Sequence, residues 1–307
     1  MNPLSLATLV VLIELSAPPW TWLPLAAMAG ASFPPITVCM RTLLRKHLGD
    51  DPLLATAYSL ESVLIEAIFI VGPMLVAFFI AVASPSLAVL FSATCGATGA
   101  QLFLRSSALR KWKLDPHPRS NLLGPLSAPR FVSLLAVVLC YSVAFGLVEI
   151  GVTGFAAEAG SPALAGVLLG VMSVGSAIGG LAYGSRSWHM PLARQLSLTL
   201  ALMGCGILPL AFLAGVWGFA GFALLGGILM APVLTMQSML VAKTASSDSS
   251  AEAFTWSATG LLAGIGLGFA AGGVILQFAG SATVFIAAAT ASLLGAGGAR
   301  LRLRHNI

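Results

Sequence analysis

The chain has 307 residues, of which 58% are hydrophobic and only 8% charged, with a mean hydropathy of +0.98. So few polar residues cannot cover the surface of a water-soluble globule of this size, so the composition excludes that class and predicts an all-α membrane protein. The net charge of +5 is therefore no indication of nucleic-acid binding. In a membrane protein it is the position of each charge along the chain that is informative.

A helix needs about 20 apolar residues to cross a bilayer. The first run, 4–17, is shorter than this and is stopped by Pro18 and Pro19. Counting it, short polar breaks separate ten predicted spans: 4–17, 23–40, 53–82, 86–103, 131–157, 162–183, 192–214, 217–242, 251–278 and 282–298. We therefore predict ten transmembrane helices.

The basic residues follow a strict alternation along the predicted spans. The Lys and Arg residues all lie in, or within three residues of, alternate breaks. The other breaks, around Pro18, Pro85, Glu158, Gly215 and Gly280, contain none. Cytoplasmic loops carry the excess of Lys and Arg in membrane proteins. The pattern predicts a multi-pass protein with both termini in the cytoplasm.

The composition changes abruptly over residues 105–130, where basic residues alternate with prolines. This predicts a basic cytoplasmic linker between an N-terminal half-bundle, 1–104 with four helices, and a C-terminal half-bundle, 131–307 with six. Basic residues beside Trp112 could also suggest a nucleic-acid patch, but positive charge next to membrane spans is the ordinary cytoplasmic signature. We expect no nucleic-acid partner.

The span 53–82 is the most informative stretch, because Glu61 and Glu66 lie inside an otherwise apolar run. A carboxyl in hydrocarbon costs a few kcal/mol, so it normally faces a partner, a bundle interior or an aqueous path. Glu66 lies seven positions before Pro73 and shares a helix face with it, whereas Glu61 points about 140° away. Glu66 is the first candidate for proton coupling and Glu61 the second, and a neutral acid bonded within a helix interface is the alternative for each. Gly72 and Pro73 predict a kink and close helix packing.

A third embedded acid, Glu149, lies among glycines in the span 131–157 and is a further proton-coupling candidate, with a packing hydrogen bond as the alternative. Tyr141, Gln237 and Trp256 lie within spans and are candidates for a substrate path, although such residues are more often satisfied helix contacts. Glu158 lies near an outer end, where we expect it to be solvated.

Glycines recur every four residues in the span 251–278, at Gly260, Gly264, Gly268 and Gly272. Such a stripe lets helices approach closely, whether for sliding or for static packing. The four cysteines are far apart and the histidines lie in predicted cytoplasmic breaks, so we find no metal-spaced or Ser/His/Asp cluster. The sequence predicts no metal, no cofactor and no enzyme.

Shifting the chain by 196 or 197 residues aligns its two parts, as in Gly30 with Gly227, Pro35 with Pro232 and Tyr58 with Phe254. Weak internal symmetry of this kind is typical of transporter halves. The spans 131–157 and 162–183 have no counterparts. We therefore expect two helices to be missing before Met1, through a misassigned start or a truncation, and a true ten-helix protein is the alternative.

With its halves and linker, the chain resembles the major facilitator superfamily, bacterial efflux members in particular. Val71-Gly72-Pro73 is similar to the fifth-helix signature of proton-coupled exporters, although its trailing glycines are absent. Residues 179–186, GGLAYGSR, are similar to a degenerate copy of the family's loop motif. Arg41 resembles the arginine that exporters of this family carry in their fourth helix, which makes it a candidate for a gate or relay.

The resemblance implies a secondary active transporter in the bacterial inner membrane, working by alternating access as a proton-coupled antiporter for export of a small organic solute. Its partners would be the solute, protons and the lipid bilayer, and by analogy it would be a monomer. An importer of a sugar or similar nutrient, or a truncated membrane protein that does not transport, are the alternatives.

Overall fold

A computed structural model describes residues 2–48, 53–110, 124–162, 164–213, 215–245 and 249–303. Helices dominate these residues, and no β-strand occurs among them. Apolar sequences fold this way in lipid because only a helix satisfies its backbone hydrogen bonds within a single segment. The predicted all-α fold is confirmed.

By their internal contacts, the described residues form two compact units. The first unit comprises the described residues within Met1–Leu43 and Val71–Asp115. The second comprises those within Leu44–Ile70 and Pro116–Ile307. The helices that begin in the first half of the chain are α1 Asn2–Glu14, α2 Trp22–Ala31, α3 Ile36–Leu48, α4 Leu53–Val82, α5 Pro85–Arg105 and the short α6 Ser107–Arg110. Helix α4 is shared, since its first part belongs to the second unit and its last part to the first.

Within the first unit, α1 packs against α2 and α5. The side-chain amide of Asn2 donates to the carbonyl of Ala29 over 2.7 Å, and the Ser86 hydroxyl donates to the carboxylate of Glu14. Ser84 caps α5, because its hydroxyl accepts from the Leu87 N–H at 3.3 Å just before Pro85 begins the helix. These local rules fix where α5 starts.

The second unit contains the remaining helices: α7 Pro129–Glu158, α8 Leu164–Gly184, α9 Leu192–Ile207, α10 Val216–Gly227, α11 Met230–Thr244 and α12 Ser250–Arg302. Its centre is the packing of α12 on α7, with α9 also against α12 and α8 against α10. Three phenyl rings connect α7, α10 and α12. Phe219 stacks on Phe155 with ring centroids 4.0 Å apart and meets Phe285 edge-on at 5.5 Å.

Helix α12 contains one non-helical residue, Gly280, with φ 75° and ψ 174°. A residue with a side chain rarely adopts this left-handed φ, so glycine is required at this position. At about 1.5 Å per residue an unbroken helix of this length would be more than twice as long as the bilayer core is thick. The break divides α12 into two arms, 250–279 and 281–302, each with the length of one crossing.

Seven helical segments of the described residues are long and apolar enough to cross a membrane: Trp22–Leu48, Pro85–Arg105, Pro129–Glu158, Leu164–Gly184, Leu192–Phe212, Val216–Thr244 and Ser250–Arg302. Asn2–Glu14 and Leu53–Ile65 are shorter apolar helices. The prediction of a multi-pass membrane protein is confirmed at this level. The count of ten and its division into four and six remain predictions.

Candidate functional site

The acidic residues of α4 are described only in part. The backbone of Glu66 lies in α4, and its side chain falls outside the described part of the structure, as does that of Pro73. Glu61 is half-buried in the same helix. Among the described atoms, none lies within 4 Å of the position that a Cβ would take at Gly72. The roles assigned to these four residues therefore stay predictions.

Glu149 is exposed, although most residues around it on α7 are buried. Val148 is 1% exposed and Val152 is fully covered. A carboxylate on a membrane-crossing helix must face lipid or a polar space, and lipid disfavours it by a few kcal/mol. The energetic cost of a carboxylate in lipid, rather than any observed cavity, favours a polar space beside Glu149.

Two of the three candidates for the substrate path are directly bonded. The Tyr141 hydroxyl on α7 donates to Oε1 of Gln237 on α11, and Nε2 of Gln237 donates to the Ser257 hydroxyl on α12 over 2.7 Å. Tyr141 is fully buried and Gln237 is 1% exposed. This chain of hydrogen bonds ties three helices together and satisfies polar groups that would otherwise be stranded in an apolar interior.

The third candidate, Trp256, lies next to Ser257 in sequence but is 38% exposed and does not join this chain. Arg41 is buried in α3, with 8% of its surface exposed, and belongs to the first unit. The sequence-predicted residues are thus spread over both units. Among the described side chains, Tyr141 and Gln237 are brought together by a direct hydrogen bond.

The glycine stripe of α12 faces α7. A Cβ at Gly264 would lie 2.6 Å from Cβ of Ser142, and one at Gly268 would lie 2.9 Å from Cα of Gly146. Gly260 and Gly272 face Leu135 and Ile150 in the same way. The absence of side chains allows the two backbones to approach closely along four turns.

Glu158 takes part in a junction that the sequence did not reveal. It is exposed, as an outer position predicts, but its carboxylate accepts from the Ser281 N–H at 2.8 Å and from the Ser281 hydroxyl at 2.5 Å. Ser281 begins the second arm of α12, so Glu158 supplies an acceptor to a helix start whose N–H groups have no partner in the helix. A cavity of about 330 Å³ lies at this junction, with Phe155, Leu210 and Leu213 in its wall. A serine directly after the predicted break at Gly280 was the available signal.

Among the described residues no group of three or more His, Cys, Asp or Glu side chains could hold a metal ion.

No protein-family model matches the sequence, and no curated protein matches it. Among solved structures, the chain is similar to the human organic anion transporter MFSD10 (TETRAN), with a TM-score of 0.74. The sequences are 19% identical, and the match covers 97% of this chain and 75% of the MFSD10 chain. The likeness shows that the protein has the fold of the major facilitator transporters.

Proposed function

We propose that the protein is a secondary active transporter that moves a small organic solute across a membrane by alternating access. The observation that carries this proposal is the fold, which the chain shares over 97% of its length with an organic anion transporter. Carriers of this type place the solute near the bilayer midplane and expose it to one side of the membrane at a time. The helix-dominated architecture and the apolar spans accord with this mode of action.

The finer proposal is export in exchange for protons, with Glu66 as the first candidate for the coupling acid and Glu61 and Glu149 as the others. Glu149 is supported by its exposure on a membrane-crossing helix, because an acid in such a place needs a polar surrounding. Arg41 is proposed as a gate or relay, since a buried arginine in a span needs a functional or structural compensation. The charge partition supports cytoplasmic termini and linker, and we propose the bacterial inner membrane as the location.

The experiment is solute flux in liposomes containing the purified protein under an imposed pH gradient. Organic anions come first among the test solutes because MFSD10 is an organic anion transporter, followed by organic cations and polyols. We expect one class of solute to be transported in the direction opposite to proton flow, as export in exchange for protons requires. If the flux of every class of solute is independent of the pH gradient, proton coupling is contradicted.

Glu66→Gln tests the coupling residue, and Glu61→Gln, five positions away on the same helix, tests the other acid of α4 in the same assay. Glutamine keeps the shape of the side chain and removes its titration. We expect Glu66→Gln to lower gradient-driven flux at least about tenfold and to leave exchange of solute for solute in place, because exchange needs no net proton transfer. Unchanged gradient-driven flux in Glu66→Gln would move the assignment to Glu61 or Glu149, whichever glutamine variant lowers the flux.

A further inference from the structure

Three hydroxyl side chains at the start of α4 follow each other at every third position, at Thr56, Ser59 and Ser62, and therefore share one side of the helix. Each contacts a helix that lies more than 120 residues further along the chain. Thr56 donates to the Gly184 carbonyl over 3.1 Å and Ser59 donates to the Gly180 carbonyl. The hydroxyl of Ser62 lies 3.3 Å from that of Thr235. All of these residues belong to the second unit.

Two of the glycines of α8, Gly180 and Gly184, leave room for α4 at this contact. A Cβ at Gly184 would overlap the side chain of Ser59, and a Cβ at Gly180 would lie 2.9 Å from Cγ2 of Val63. Gly170, on the same helix, has no described atom within 4 Å of its Cβ position. The last turns of α8 are therefore bare where α4 touches them, and Ser59 is 2% exposed as a result.

Arg45, at the end of α3, makes a second contact of the same kind. Its guanidinium donates to the Ala245 carbonyl over 2.7 Å and to the Ser250 hydroxyl over 2.9 Å. Ala245 directly follows α11 and Ser250 begins α12, so one cation contacts the end of one helix and the start of the next. Carbonyls at a helix end lack partners within the helix and attract positive charge. Nearby, the rings of Tyr58 and Phe254 meet edge-on with centroids 6.1 Å apart.

These contacts fasten a segment of the N-terminal half-bundle predicted from sequence onto three helices of the C-terminal one. The contacts of Thr56, Ser59 and Arg45 lie at the last turns of α8, just before Arg186, and at the end of α11, just after Lys243, on the side that the charge pattern places in the cytoplasm. The bonds run from hydroxyl and guanidinium donors to main-chain carbonyls and hydroxyls, so no proton has to be gained or lost to break them. Each bond is weak, and several weak bonds can form and separate together.

We propose that Arg45, Thr56, Ser59 and Ser62 form a latch that holds the cytoplasmic side closed in one transport state and separates from α8 and α11 in the other. This rests on the proposed function, because a carrier must open each side in turn. The glycines at 180 and 184 would set the strength of the latch, since they determine how closely α4 can approach. Coupling to protons would then act elsewhere in the molecule, since the latch bonds themselves do not titrate.

The first test joins the latch covalently, in a protein whose four natural cysteines are replaced by alanine. Ser62→Cys with Thr235→Cys puts two thiols where the hydroxyls lie 3.3 Å apart. A protease site in the linker 111–123 separates the two positions, so a disulfide shows as fragments that stay together without reductant. We expect oxidation to form the disulfide and to stop solute flux, and reductant to restore it. The two single-cysteine variants, oxidised in the same way, should keep their flux.

The second test does not require flux. In the Ser62→Cys protein, labelling by a water-soluble maleimide from the cytoplasmic side reports how often the latch opens. We expect Gly184→Leu to raise the labelling rate about tenfold or more, which corresponds to a shift of a two-state equilibrium of the same size. Gly170→Leu is the matched control and should leave the rate unchanged. Ser59→Ala, a milder change, should raise labelling in the same direction even where Gly184→Leu does not fold.

The outcomes separate the latch from the transport function. If the disulfide forms and flux continues, the contact does not open and the latch is wrong. If Gly184→Leu and Ser59→Ala both label like the parent protein, the latch is also wrong. If no solute is transported by the parent protein, the proposed function fails, and the labelling rates still decide whether this contact opens and closes.

Discussion

Replacing Gly268 by alanine tests the contact between α7 and α12 directly. The added Cβ would overlap the Val143 carbonyl and lie 2.9 Å from Cα of Gly146 and 3.0 Å from the Leu147 nitrogen. All three are backbone atoms, so a rotamer change cannot relieve the overlap and the helices must move apart. Overpacking of this kind costs about 1–3 kcal/mol.

Gly266→Ala is the matched control, because no described atom lies within 4 Å of its Cβ position on the same helix. Alanine is a better helix former than glycine by up to about 1 kcal/mol, and both variants share this gain. The difference between their free energies of unfolding therefore isolates the packing cost, and Gly268→Ala should be less stable than Gly266→Ala by about 1–3 kcal/mol.

Thermal unfolding of the purified protein in one detergent measures this difference. We expect the Tm of Gly268→Ala to lie below that of the parent and the Tm of Gly266→Ala to lie at or above it. Equal Tm values for the two variants would refute the argument that the glycine stripe faces α7 at backbone contact. Gly264→Ala should behave like Gly268→Ala, since Ser142 and the Leu139 carbonyl crowd its Cβ position at 2.6 and 2.7 Å.

Three further predictions concern single side chains. Tyr141→Phe removes the donor to Gln237 and leaves a buried amide oxygen without a partner, so we expect about 1–3 kcal/mol of destabilisation, measured by thermal unfolding. Glu158→Ala removes the acceptor for Ser281, and the cost should be about 1 kcal/mol, as for loss of a helix cap; Glu158→Gln, which keeps one oxygen acceptor, should lose less Tm. Glu149→Gln removes a charge from an exposed position, so Tm should change little, while gradient-driven flux falls if this acid contributes to coupling; a large fall in Tm would show that the carboxylate is a packing element instead.

The resemblance between the two sequence halves has a counterpart in the packing. Tyr58 and Phe254, matched by the shift of 196 residues, are in ring contact within the second unit. Residues at equivalent positions of two repeats meet near the axis that relates them, so this contact is what an internal repeat predicts.

The sequence alone determined that this is a helical membrane protein and where its main breaks lie. Hydrocarbon requires long apolar runs with internally bonded backbones, and only Pro, Gly and polar clusters interrupt them. This is why the break at Gly280 and the end of the first run before Pro18 could be read without a structure. The family resemblance rested on a few short motifs, and the fold it implied agrees with the structural match to MFSD10.

Only the tertiary structure decided which helix faces meet. The glycine stripe at 260–272 predicted close packing but not its partner, because a bare stripe fits any helix with small residues or a matching groove. Tyr141 and Gln237 are far apart in sequence, and each had a separate interpretation until their hydrogen bond showed that they act together. Ser59 lies in a row of three hydroxyls and Gly180 in the motif 179–186, but neither pattern identifies the other residue as its partner. Their pairing depends on the approach of two helices more than a hundred residues apart, and no local pattern of residues encodes that distance.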